Sequence, residues 1–172
     1  MSQYIFDNAA VQAVQRFESL EALYDSRTIR FLNATGVDSG WRCLEVGAGG
    51  GSIAAWLSDR VGTNGHVLVT DIDPSHLAAL TASGRPNLKI ELHDVGVDPL
   101  PEATFDLIHA RLVLIHVPQR VAALSRLVGA LNLAAGSSSR IMLNSSSTAV
   151  FQLLTRNVTR SLPRCWLRWS RS

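Results

Sequence analysis

Apolar positions recur along the chain at two different spacings, and the switch between them marks the elements. From Asp7 to Tyr24, Val11, Val14, Phe17, Leu20 and Leu23 return every three residues, which predicts an amphipathic helix. A second short helix is expected over Ser26–Asn33, with Gly36 near its end. Trp41 to Val46 reads as a buried strand and leads directly into Gly47, Gly49, Gly50 and Gly51. Ser52–Val61 returns to helical spacing, with Ile53, Trp56 and Leu57 on one face. His66–Thr70 is a second expected strand, Leu88–Leu92 a third and Phe105–His109 a fourth. Pro74 suits the first turn of a helix reaching about Ala82, and Pro118–Leu131 reads as another. Gly62, Gly65, Pro99 and Pro101 punctuate the loops. Strands alternating with helices predict an α/β fold, a Rossmann-like, doubly wound parallel sheet.

Composition narrows the class without naming a function. A length of 172 residues fits one domain with a real core. With 47% hydrophobic and 17% charged residues, a fully disordered chain is excluded. No run of about 18 apolar residues exists, so no membrane span is expected. Met1 to Ala10 lacks a basic region followed by an apolar one, so it does not read as a secretory signal. Two cysteines, Cys43 and Cys165, make no disulfide scaffold and argue for a reducing, cytoplasmic setting. The five histidines and two cysteines show no metal-ligand spacing, so no metal is expected.

The net charge of +2 conceals an asymmetry. Residues 1–130 hold all 14 acids and ten of the 16 bases. Residues 131–172 hold no acid and six arginines: Arg140, Arg156, Arg160, Arg164, Arg168 and Arg171. Such a tail ordinarily suggests nucleic acid or an anionic membrane.

The chemistry concentrates in Leu44-Glu-Val-Gly-Ala-Gly-Gly-Gly51, a strand, a glycine turn and a helix start. Glycines admit positive φ and let a ligand approach the backbone, and a helix start offers free N–H groups. Dinucleotide sites favour G-x-G-x-x-G. Here Gly47, Gly49 and Gly51 give G-x-G-x-G, and Ser52 stands where that pattern wants its last glycine. Glu45, two residues before the first glycine, can accept from an amino-bearing ligand but would repel a pyrophosphate. Asp71 ends the next strand about 20 residues on, where an acid can hold ribose hydroxyls. Asp94 follows the third strand, within reach of an adenine amino group.

These segments together resemble the class I S-adenosylmethionine-dependent methyltransferases of the small-molecule type. Glu45–Gly51 resembles that family's first motif, Val67-Leu-Val-Thr-Asp-Ile-Asp-Pro74 its second and His93-Asp-Val95 its third. Phe105–Pro118 resembles the fourth-strand motif, and the likeness covers roughly residues 10–130. The resemblance implies S-adenosylmethionine as cofactor, with Gly47, Ala48, Gly49 and Gly51 turning beneath its methionine part. It implies that Glu45 orients that loop or the amino group. Asp71 would hold the ribose, Ile72 would lie against adenine, and Asp94 and Val95 would read the adenine edge. Ala110 and Arg111 would lie near the methionine end. Asp73 reads instead as a helix cap before Pro74, and Asp106 as structural. Tyr24 and Asp25 are candidates for closing over the cofactor. His109, His116 and Arg111 are candidates by position for handling a proton, and no catalytic residue is assigned. The resemblance implies methyl transfer to a small-molecule acceptor. A cofactor-binding module without turnover, or a nicotinamide-dependent oxidoreductase, is the alternative.

After Leu131 the chain departs from the family, which continues with a Pro-Gly-Gly turn and an apolar fifth strand. Here Asn132–Ile141 holds three consecutive serines and no strand-like run. Plausible codons for Leu133–Ile141, read one base earlier, give Gly-Gly-Trp-Leu-Val-Val-Glu-Asp, the turn, strand and acid that the family has. The expectation is therefore an N-terminal helical cap over 1–36, a cofactor-binding core over 37–131 and a basic, out-of-frame tail over 132–172. The sheet would then be incomplete after the fourth strand, with weak stability and little or no turnover expected of this chain, and a fifth strand through residues 136–144 would count against a frame slip. On the same reasoning the tail is not expected to bind nucleic acid, although Trp166 and Trp169 among arginines could stack bases.

Overall fold

The computed structural model describes residues 11–133, 140–144 and 167–168. A single helix, α1 (Val11–Thr35), opens it. The expected break near Ser26 is absent, because no glycine or proline interrupts the run and Thr28, Leu32 and Thr35 are all buried against the body. Gly36 ends the helix in the left-handed conformation (φ 81°), which glycine adopts without strain. The part of the expected first helix before Val11 lies outside the described residues.

The strands β1 (Arg42–Val46), β2 (His66–Asp71), β3 (Leu88–Leu92) and β4 (Leu107–Arg111) alternate with α2 (Ser52–Val61), α3 (Ala78–Ala82) and α4 (Arg120–Ala130). Pro74–Leu77 forms a tight 3-10 turn running into α3, and Asp73 accepts from the Ser75 N–H at 3.1 Å as the expected cap. The fourth strand starts two residues later than the apolar pattern suggested, since Phe105 instead bridges Leu131. Asp106 accepts from the Arg42 N–H at 2.8 Å, a structural role as expected.

The sheet does not stop at β4. A fifth strand, β5 (Arg140–Asn144), pairs parallel with it residue for residue, from Leu107 opposite Arg140 to Arg111 opposite Asn144. This corrects the expectation of a sheet incomplete after the fourth strand; the strand covers only the later part of residues 136–144, and residues 134–139 lie outside the described residues. The apolar triplet Ile141, Met142 and Leu143, just past the serines, buries on the two faces of the sheet. A two-residue strand, β6 (Leu167–Arg168), pairs parallel with β5. Among the described residues the strand order is β3-β2-β1-β4-β5-β6.

Alternate residues of each strand feed two cores. Leu44, Val46, Ile108 and Ile141 pack with Leu124 and Leu127 of α4. Cys43, Val67, Leu107 and Met142 pack on the other face with Leu32 of α1 and Leu57 of α2. The order reverses between β1 and β4, and at that reversal the flanking connections diverge and open a crevice beyond the strand ends.

Candidate functional site

The crevice is set by the turn leaving β1. Gly47 (φ 64°) and Gly49 (φ 57°) both take left-handed conformations. Gly47 donates its N–H to the Thr70 carbonyl at 2.7 Å, folding the loop onto the end of β2. A Cβ on Gly47 would lie 2.3 Å from Val113 Cγ2, so side-chain-free backbone is required there. The turn delivers Ser52 to the start of α2, whose N–H is met by Glu21 Oε1 of α1 at 3.3 Å.

Beside this loop lies the buried carboxyl of Asp71. Its Oδ2 accepts from the Gly49 N–H at 3.1 Å and its Oδ1 from the Asp73 N–H at 3.0 Å. Burial pushes its pKa above the usual carboxylate range, against the pull of those two N–H groups. Two cavities meet here, sharing Gly47, Asp71, Val113 and His116. The larger, about 350 Å³, runs under α1 and is walled by Phe17, Leu20, Tyr24, Glu45, Ala48 and Arg111. The smaller, about 50 Å³, continues between Ile72, Asp94 and Val95.

Glu45 lies on the cavity floor and is almost wholly buried, its Oε2 2.7 Å from Nδ1 of His109 on the adjacent strand. Arg111 is clasped rather than free: its Nη1 donates to Asp25 Oδ1 at 2.7 Å and to Thr28 Oγ1 at 3.3 Å, tying β4 to α1. On the other side, the turn after β3 is closed by Asp94 Oδ1 accepting from the Gly96 N–H and by Asp98 Oδ2 accepting from the Asp94 N–H, each at 2.7 Å. Arg126 of α4 braces this turn by donating to the Val95 carbonyl at 2.8 Å.

Nine of the eleven residues expected to hold a cofactor therefore gather at the two cavities: Glu45, Gly47, Ala48, Gly49, Asp71, Ile72, Asp94, Val95 and Arg111. Gly51 and Ala110 do not line them. Gly51 shapes the turn at φ 92°, with Leu77 and Leu80 closing over it, and Ala110 faces the core. Of the candidates for a proton, His116 and Arg111 line the larger cavity, whereas His109 is fully buried beneath it. Sequence reasoning missed Arg16, Phe17, Leu20, Glu21 and Ile115 as lining residues. The first four read as an ordinary amphipathic helix. Ile115 and Val113 reach the cavity because Leu112 takes φ 59°, unusual for a branched residue and without a sequence signature.

The donor set fits S-adenosylmethionine. Carboxylates stand at both ends and at the middle, suited to an amino group, ribose hydroxyls and an adenine amine, and glycine backbone lies between. Among the described residues no group of three histidine, cysteine, aspartate or glutamate side chains could hold a metal. Among the described residues, too, no helix is long and apolar enough to cross a membrane.

Comparison with known proteins agrees. Aklanonic acid methyltransferase DauC from Streptomyces sp. (strain C5) is 28% identical over 127 residues, 67% of this chain; the chain spans 58% of that relative's length. The solved TehB-like S-adenosylmethionine-dependent methyltransferase of Corynebacterium glutamicum superposes with a TM-score of 0.61 at 23% identity, covering 84% of this chain and 80% of that one. The Aquifex aeolicus S-adenosylmethionine-dependent methyltransferase gives 0.59 at 22% identity, covering 73% and 68%. These two likenesses concern the fold. Residues 43–133, more than half the chain, match the family model described as a methyltransferase domain. With the glycine turn, the acid ending β2 and the switch-point crevice all inside that span, the chain belongs to the methyltransferase-domain family.

Proposed function

We propose that this chain binds S-adenosylmethionine along the two joined cavities and transfers its methyl group to a small-molecule acceptor. The observation that carries the reading is the buried Asp71 carboxyl pinned to the Gly49 N–H where the two cavities meet. When bound, S-adenosylmethionine supplies an electrophilic methyl group on a sulfonium. Asp71 then accepts from the ribose hydroxyls, Asp94 and the Val95 N–H read the adenine edge, and Ile72 packs beside the ring. Glu45 receives the amino group, with Gly47, Ala48 and Gly49 beneath the methionine chain. Gly51 sets the turn, and Ala110 supports the end of β4.

Displacement at a methyl group asks chiefly for in-line positioning. Phe17, Leu20, Tyr24 and Ile115 form the apolar wall that excludes water beside the methionine end. The printed name of the Streptomyces relative, an aklanonic acid methyltransferase, supports a small-molecule acceptor. The low cysteine count, two in 172 residues, supports a reducing, cytoplasmic location. Glu45 would repel the pyrophosphate of a nicotinamide cofactor, and Ser52 stands where a dinucleotide loop wants its last glycine, which disfavours that alternative.

Titration calorimetry with S-adenosylhomocysteine tests the reading. Saturable one-to-one binding that NADH does not displace is expected, followed by label transfer from methyl-labelled cofactor to an acid-bearing acceptor panel. NADH binding in preference would overturn it.

A further inference from the structure

The buried pair beneath the cavity has a partner problem whose solution assigns a role. Glu45 and His109 face each other across β1 and β4, on the face covered by α1. Their side chains are 4% and 0% exposed, and Nδ1 lies 2.7 Å from Oε2. Nε2 of His109 is buried and has no hydrogen-bond partner among the described residues. His109 lines neither cavity, so it cannot meet a ligand, whereas Glu45 does line the larger one.

We infer that His109 is a positioning residue for cofactor recognition, holding the Glu45 carboxylate so that its other oxygen faces the amino group of the methionine end. This rests on the proposed cofactor reading. A buried donor without a partner costs more than a buried acceptor without one, so the proton belongs on Nδ1, donated to Glu45. The orphaned Nε2 then carries only a lone pair. Unsupported, a glutamate with three rotatable bonds on a nearly closed floor would swing among rotamers, and ordering it would fall to the ligand. The register Glu45 opposite His109 supplies that ordering in advance, and the apolar surroundings strengthen the bond. Nearby on the same strand as His109, Arg111 lines the larger cavity and donates to the fully buried Thr28 of α1 at 3.3 Å.

The test compares two ligands on the full chain: S-adenosylhomocysteine, which carries the amino group, and 5′-methylthioadenosine, which lacks it. The wild type should bind the first more tightly. H109L, of similar volume and without a donor, should weaken S-adenosylhomocysteine about tenfold and leave methylthioadenosine within about twofold. H109N, whose amide N–H can stand at the Nδ1 position, should recover most of the loss. Equal weakening of both ligands, or no weakening, overturns the role. Should H109L fail to fold, nitrogen-15 NMR of the wild-type imidazole decides: a proton on Nδ1 supports the role, and a bare Nδ1 ends it. A wild type that binds neither ligand refutes the cofactor reading itself.

Discussion

Gly47→Ala is the sharpest perturbation that the structure offers. Two independent penalties meet at that position. The residue sits at φ 64°, where an alanine is strained by about 1–2 kcal/mol. The new methyl would also stand 2.3 Å from Val113 Cγ2, so the valine or the loop must shift, at about 1–3 kcal/mol. The sum, about 2–5 kcal/mol, should lower the melting temperature by about 4–20 °C in a chain of this size. Because Val113 lines both cavities, S-adenosylhomocysteine binding should fall with it. The two penalties separate in a double-mutant cycle. Val113→Ala removes the clash and leaves the backbone strain, so the pair should recover about 1–3 kcal/mol relative to the sum of the single changes. Urea denaturation of the four proteins reads this directly. Single effects that add to within about 0.5 kcal/mol would refute the steric account.

Other outcomes follow from the same geometry. Asp71→Asn leaves one oxygen to accept where two N–H groups now donate, so calorimetry should show binding about 10–100-fold weaker, with stability lower by about 1–3 kcal/mol. Burial raises the Asp71 pKa in the folded state, so the folded chain binds this proton more tightly than the unfolded one. Its contribution to stability is then greatest below the unfolded value and declines as pH rises through the folded value; urea midpoints between about pH 3 and 6 should lose that slope in Asp71→Asn. Arg111→Leu unties Asp25 and Thr28 of α1 from β4, costing about 1–3 kcal/mol, and should speed hydrogen exchange in residues 20–30; unchanged exchange would show that the clasp holds nothing. The coding DNA across Leu131–Ile141 settles the frame question: codons that forbid the second reading make the basic tail genuine, and codons that restore Pro-Gly-Gly make it a slip.

Much of this molecule was legible in the sequence because it depends on local periodicity and on motifs of fixed spacing. Strands β1 to β3, α2 and α4 came from the alternation of apolar runs and helical faces. The glycine turn, Asp71 and Asp94 came from their places at strand ends. The short apolar triplet of β5 was not legible, because Ile141, Met142 and Leu143 look like a strand only once β4 offers a free edge and two cores to fill. The unbroken α1 was missed for a similar reason: Ser26 reads as a boundary, yet no breaker stands there, and burial of Thr28 and Leu32 with the bonds from Arg111 to Asp25 and Thr28 carries the helix straight through.

By itself, then, the sequence determined the alternating α/β order, the glycine turn and the acids at or just past the ends of three strands, since each is written within a few consecutive residues. Only the tertiary structure decided that α1 roofs the cavity, that Leu112 turns Val113 and Ile115 into it, and that Glu45 is held by a histidine 64 residues away. Those contacts join distant segments across parallel strands, and which residues meet there depends on how the hydrophobic patterns of both strands pack together, which no stretch of a few residues records alone.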